Sequence, residues 1–197
     1  EHAVSLISRY GYTALKMSPF PPGQETMPWN KVLREGPKFL EAVRSAVGDG
    51  VDIGLDAHAK IFEPARALEL ADALAPHQPF FLEEPLRPEN IRAMGELRRK
   101  MSIPLATGEC LYAKFEFSDL LRAEAVDIIQ PDVCVCGGLG EMRKIAALAE
   151  AHDVVVAPHN PMGPIATAVN VHFAAATSNF LILEFVPHDT CRRSEFV

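Results

Sequence analysis

Asp56, Glu83 and Glu109 close three successive short apolar runs, and Asp132, His159 and Glu184 close the next three. Carboxylates delivered at the same phase by parallel neighbouring strands, about 4.8 Å apart, can converge on one ion. An all-oxygen donor set selects a hard cation, and three carboxylates with room left for substrate oxygens suit Mg²⁺. Glu84 directly follows Glu83, and strand alternation turns one of the pair inward and the other away without saying which. Asp132 in QPDVCVCGG and His159 in APHNPMGP fall on consecutive predicted strands. A carboxylate beside an imidazole fixes its tautomer and makes it a competent general base near neutral pH. His58 lies two residues beyond Asp56, on the same side if the strand continues, where it is either a second acid or base or a solvated loop histidine.

The elements that must position these groups are legible from the same spacing. The six positions are 23 to 27 residues apart, the length of one strand plus one helix. Predicted strands cover residues 13–17, 52–55, 79–82, 104–106, 126–130, 154–157 and 180–183, mostly apolar, as strands covered on both faces must be. Helical periodicity fills residues 31–47, 64–74, 89–99, 115–123, 139–151 and 165–176, and residues 2–11 read as a further helix stopped by Gly11. Pro64, Pro88 and Pro164 each fit a first helical turn. Strands alternating with helices, each delivering a polar group at its carboxyl end, are the pattern of a (β/α) barrel whose active site is built at the strand ends. The four-proline stretch 18–28 (SPFPPGQETMP) is the long loop on that side.

Seven strands fall one short of a closed eight-stranded barrel. The expectation is therefore an α/β, TIM-type barrel lacking its first strand, with residues 1–197 one barrel domain of a longer chain and only Pro187 to Val197 after the last strand.

Composition excludes several function classes. The 197 residues carry a formal net charge of −7 with 48% hydrophobic residues, which offers no basic footprint for nucleic acid or anionic membrane. No apolar run approaches the ~20 residues that span a bilayer. Cys110, Cys134, Cys136 and Cys191 lack paired metal spacing. Cys134-Val-Cys136 is expected in a strand, and reduced thiols point to the cytoplasm. A small-molecule substrate and a homo-oligomer are the expected partners.

At these residues the chain resembles a known family. Lys16, LDAHAK, FLEEP, TGE, QPD, APHNPMGP and LEF, in that order from Gly11 to Phe185, are similar to the mandelate racemase branch of the enolase superfamily, and within it to sugar-acid dehydratases of the galactonate dehydratase type. The resemblance implies Mg²⁺ held by Asp56, Glu83 and Glu109, favouring Glu83 over Glu84. It implies an Asp132–His159 base dyad, Glu184 as hydrogen-bond partner of the developing enolate, and Lys16 on the substrate carboxylate. It implies His58 as the acid that protonates the leaving hydroxyl, because Asp56-Ala57-His58 has the dehydratase form of the metal motif. It also implies an α+β capping domain, which these residues do not contain.

Racemases of that branch carry a second lysine two residues after the first, but here Lys16-Met17-Ser18 supplies none. Two further departures lie near the mouth: Cys110 and Lys60 each stand where an arginine is frequent in the related dehydratases. The implied activity is a β-elimination that converts an aldonate such as galactonate or gluconate to a 2-keto-3-deoxy acid. A racemase or epimerase of the same superfamily and a non-catalytic binding relative are the alternatives. A glycosidase working with two carboxylates needs neither the third carboxylate nor the dyad.

Overall fold

The protein is described by a computed structural model covering residues 1–186. Six parallel strands alternate with helices, which places the chain in the α/β class expected. The chain forms two compact units, Glu1–Leu105 and Ala106–Val197. Residues 187–197, including Cys191 and the stretch expected to follow the last strand, lie outside the described residues.

In the first unit, α1 (His2–Tyr10) stops at Gly11, whose left-handed φ of 68° lets its N–H cap the carbonyl of Ile7. Strands β1 (Ala14–Met17), β2 (Asp52–Asp56) and β3 (Phe81–Glu83) are parallel neighbours in that order, with Leu15 opposite Ile53, and Asp56 opposite Glu83. Helices α2 (Trp29–Val47), α3 (Pro64–Leu74) and α4 (Ile91–Arg98) separate them in sequence. Ile53, Leu55, Leu40, Leu70, Leu74, Leu82 and Met94 are fully buried, so both faces of these strands are apolar as their composition requires. Gly54 is opposite Phe81 in the register, and a Cβ there would lie 2.6 Å from the ring. Glycine thus lets an aromatic ring pack against β2 two residues below Asp56.

The second unit begins within β4 (Leu105–Thr107); β4, β5 (Ile128–Ile129) and β6 (Val155–Val156) are parallel neighbours, and α5 (Lys114–Arg122), α6 (Leu139–Glu150) and α7 (Pro164–Ala175) alternate with them. Phe117, Ile129, Met142 and Phe173 fill its core. The expected strand at 180–183 is reduced to a single parallel bridge between Phe180 and Val156, flanked by Val156 N–H to the Asn179 carbonyl and Leu181 N–H to the Val156 carbonyl. Only one residue of the run keeps ladder geometry before the chain turns to other partners.

Two punctuation signals differ from expectation. Pro64 and Pro164 open their helices, but Pro88 lies outside α4, because Asn90 is the N-cap and its side chain accepts from Ala93 N–H at 3.0 Å. Cys134 and Cys136 lie in a turn rather than a strand, since Val135 and Cys136 N–H both donate to the Asp132 carbonyl.

Helices α5 and α6 are joined by one carboxylate. Glu141 accepts from Lys114 at 2.9 Å and from Lys144 at 3.0 Å, and these ammonium groups hold its carboxyl down at about 2. A depressed carboxyl contributes stability that is fully present above its unfolded value near 4.5 and lost as pH falls through about 2. Acid titration of Glu141→Gln is therefore expected to show a shallower loss of stability between those values than the parent, measured by urea midpoints across that range.

Candidate active site

At the carboxyl ends of the first unit's strands, β2 ends in Asp56 and β3 in its register partner Glu83. Asp56 is 4% exposed and Glu83 0%. Lys16, near the end of β1, lies between them: its Nζ donates to Glu83 Oε1 at 2.8 Å and stands 3.6 Å from Asp56 Oδ2. Two buried carboxylates thus share one ammonium group, an arrangement that a further cation on the same oxygens would balance. Glu84 is also buried, at 1%, but it lies past the strand with a left-handed φ of 43°. The backbone, rather than strand alternation, separates the two glutamates.

Strand alternation also fails for His58, because β2 stops at Asp56. Asp56 Oδ1 accepts the backbone N–H of His58 at 2.8 Å, an Asx turn that swings the chain out of the strand. His58 and Ala59 both take φ of 51°, and Ala57 and Ala59 N–H donate to the carbonyls of Glu83 and Glu84. The imidazole returns to the same carboxylate, with Nε2 3.1 Å from Asp56 Oδ2, while more than half of the side chain faces solvent. Left-handed non-glycine residues cost of order 1 kcal/mol each and concentrate at sites that need them.

The 18–28 loop follows β1 on the same side. Ser18, where a second lysine would stand, accepts the N–H of Phe20 at 3.2 Å, so that it shapes the turn. Phe20 is buried, and Lys60 lies over its ring at 5.8 Å in a cleft also lined by Trp29, Glu63 and Arg66.

In the second unit, Gly108 has φ of +132°, and a Cβ there would lie 2.8 Å from the Phe117 ring and 3.2 Å from the Gln130 amide nitrogen. Only glycine lets the chain leave β4 in this direction and present Glu109. Asp132 follows β5 and is fully buried. Its Oδ1 accepts the Cys134 N–H at 2.7 Å and its Oδ2 lies 2.8 Å from His159 Nδ1. An ionised carboxylate only accepts, so His159 carries its proton on Nδ1 and leaves Nε2 as the basic nitrogen. That nitrogen is 3.4 Å from Glu109 Oε2. Burial and the neighbouring Asp132 charge push the Cys136 thiol up to about 11, so it is protonated at neutral pH.

Glu184 is held from the His159 loop, its Oε2 accepting Asn160 N–H at 2.8 Å. The first unit therefore brings together Lys16, Asp56, His58 and Glu83, and the second brings together Glu109, Asp132, His159 and Glu184. Asn160 and Asn170, both fully buried, are among the buried polar residues that spacing does not mark. The available signal was an asparagine, Asn170, inside a mostly apolar helix.

Residues 1–196 match the family model described as enolase C-terminal domain-like. The chain is 40% identical over 184 residues to a D-gluconate dehydratase of Thermoproteus tenax, covering 93% of this chain and 36% of that protein. It is 41% identical over 142 residues to a D-galactonate dehydratase of Ralstonia pickettii, covering 72% and 37%. Among solved structures, an enolase from Agrobacterium radiobacter described as a putative galactarate dehydratase, bound to Na and L-malate, superposes with a TM-score of 0.90 at 51% identity, over 94% of this chain and 47% of that one. A mandelate racemase/muconate lactonizing enzyme-like protein from Rubrobacter xylanophilus gives 0.91 at 34% identity, over 100% and 51%. The chain spans little more than a third of the two curated relatives and about half of the two solved chains. With a matching model over nearly its whole length and the ordered strand-end residues described above, the chain belongs to the enolase C-terminal domain-like family.

Proposed function

We propose that this chain is the barrel part of a Mg²⁺-dependent sugar-acid dehydratase that eliminates water from an aldonate to give a 2-keto-3-deoxy acid. The observation that carries the reading is the buried Asp132 bonded at 2.8 Å to His159 Nδ1, which leaves Nε2 as a general base. Relatives named as gluconate and galactonate dehydratases support the substrate class.

The donor chemistry fits a hard divalent ion: Asp56 and Glu83 are buried, offer only oxygens, and together carry more charge than Lys16 neutralises. Asp56, Glu83 and Glu109 would hold Mg²⁺, which when bound polarises the substrate carboxylate and so acidifies the proton on the adjacent carbon. Lys16 offers its ammonium to the same substrate carboxylate. His159 Nε2 removes the α-proton, and Asp132 stabilises the imidazolium that forms. The charge passes to the carboxylate oxygens as an enediolate, where Lys16 and Glu184 make hydrogen bonds that are stronger than in the ground state. Collapse of the enediolate forms the carbon–carbon double bond and expels the β-hydroxyl, to which His58 gives a proton, so that water leaves. The enol then tautomerises to the 2-keto-3-deoxy acid. Ser18 offers no base on the opposite face, which disfavours a two-base racemase.

The division of labour between two histidines makes a specific prediction. In the full-length protein with Mg²⁺, His58→Asn is expected to keep α-proton exchange with D₂O within ~5-fold of the parent while dehydration falls about 100-fold, the usual worth of a positioned acid. NMR of the substrate and assay of the keto product separate the two rates. Equal loss of both would remove His58 as the acid.

A further inference from the structure

Asn160 joins the loop that carries His159 to the segment that carries Glu184 by more than its backbone. Its side chain is fully buried, and Nδ2 donates to the backbone carbonyl of Glu184 at 2.9 Å and to Thr167 Oγ at 3.1 Å. Its Oδ1 accepts from Asn170 Nδ2 at 3.1 Å, while Thr167 Oγ donates on to the Gly163 carbonyl at 3.2 Å. Asn170 is itself fully buried on α7, and its own Oδ1 has no hydrogen-bond partner among the described residues. A buried amide with an unsatisfied acceptor costs about 1–3 kcal/mol, so it persists where its donor is needed. Here that donor fixes the orientation of the Asn160 amide. The Asn160 side chain thus holds the backbone at Glu184 directly.

We infer that Asn160, oriented by Asn170, is a positioning residue that fixes Glu184 against His159, one residue away in the same loop. The inference rests on the dehydratase reading. Asn160 holds Glu184 at two points: its N–H donates to the Glu184 carboxylate, and its side chain donates to the Glu184 backbone carbonyl. A substitution at 160 removes the second tie and leaves the first, so Glu184 stays nearby but loses its fixed direction. A misplacement of about 1 Å at a reacting centre costs up to ~100-fold in rate. Because Glu184 acts on the enediolate and not on the bound substrate, the loss falls on kcat rather than KM.

A double-mutant cycle in the full-length protein tests this, using Asn160→Ala, Glu184→Gln and the double variant with a sugar acid and Mg²⁺. Asn160→Ala is expected to lower kcat about 10- to 100-fold with KM within ~3-fold. The double variant is expected to match Glu184→Gln within ~3-fold, because Asn160 acts only through Glu184. Multiplying effects, or a KM-only effect, would overturn the inference. If Asn160→Ala does not fold, Asn170→Ala takes its place in the cycle with a smaller loss of kcat and the same non-additivity. Urea midpoints give a readout independent of substrate: Asn160→Ala is expected to lower the midpoint in the parent and in Glu184→Gln alike, because Gln keeps the backbone carbonyl that Asn160 holds, and an unchanged midpoint would overturn the tie. A parent protein that dehydrates no sugar acid would contradict the dehydratase reading instead, and the midpoints would then decide the tie alone.

Discussion

His159→Asn is expected to abolish exchange of the substrate α-proton with solvent and to lower dehydration by 10²- to 10⁴-fold, the range for loss of a positioned general base. Asparagine can still donate an amide hydrogen to Asp132, so the local bonding survives while the nitrogen that accepts the proton is gone. His159 is only partly buried, and the fold is expected to tolerate the change, which far-ultraviolet circular dichroism checks. Asp132→Asn provides the complementary case. It removes the fixed acceptor that keeps the proton on Nδ1, and lets the imidazole present its N–H, rather than its lone pair, to the substrate. Exchange that continues at the parent rate in His159→Asn would remove this residue as the base.

Lys16→Met is expected to destabilise the metal-free protein by about 2 kcal/mol and to restore much of that loss on addition of Mg²⁺. Breaking a buried ion pair by removing one partner costs ~3–5 kcal/mol, and the partial exposure of the Lys16 side chain argues for the lower figure. Without the ammonium, Asp56 and Glu83 face each other across the β2–β3 register as buried anions. A divalent ion on the same oxygens replaces the missing charge, so the variant should gain more stability from Mg²⁺ than the parent does. Urea titrations of parent and variant with and without Mg²⁺ give the comparison. Equal Mg²⁺ stabilisation of both would mean that these carboxylates do not hold the ion.

Element order was legible because a strand buried on both faces and an amphipathic helix leave different sequence periods. The helix predicted at 64–74 coincides with α3, and Gly11 stops α1 as read, since only a left-handed residue allows that cap. The misplaced features have local causes that apolar patterning does not carry. Pro88 sits before a helix that Asn90 begins, and the cysteines follow Asp132 into a turn because that side chain and carbonyl capture three successive N–H groups. Strand alternation places His58 on the same side as Asp56. It comes to Asp56 through an Asx turn with left-handed φ, a conformation that no periodicity encodes. The run at 180–183 had strand composition, but all that remains of it is one bridge.

The candidate site follows the same division. Residue types and phase marked Asp56, Glu83, Glu109, Asp132, His159 and Glu184, and the structure adds who holds whom: Lys16 between two carboxylates, Cys134 N–H on Asp132, Asn160 on Glu184. Spacing left Glu83 and Glu84 undivided. The register of β2 and β3 separates them, pairing Asp56 with Glu83 and leaving Glu84 beyond the strand in a left-handed turn. The sequence shows Asn160 only as a neighbour of His159, and Asn170 not at all, because a buried amide has no periodic signature and its importance lies in the groups it meets.

We propose that the barrel supports Mg²⁺-dependent loss of water from a sugar acid. The most direct measurement incubates the full-length protein with a library of aldonates and sugar diacids, with Mg²⁺ and with excess chelator, and assays for 2-keto-3-deoxy acids. Product is expected from at least one aldonate with Mg²⁺ and none with chelator. Product formed equally in chelator, or no product from any acid while the same protein binds one of them saturably, would contradict it.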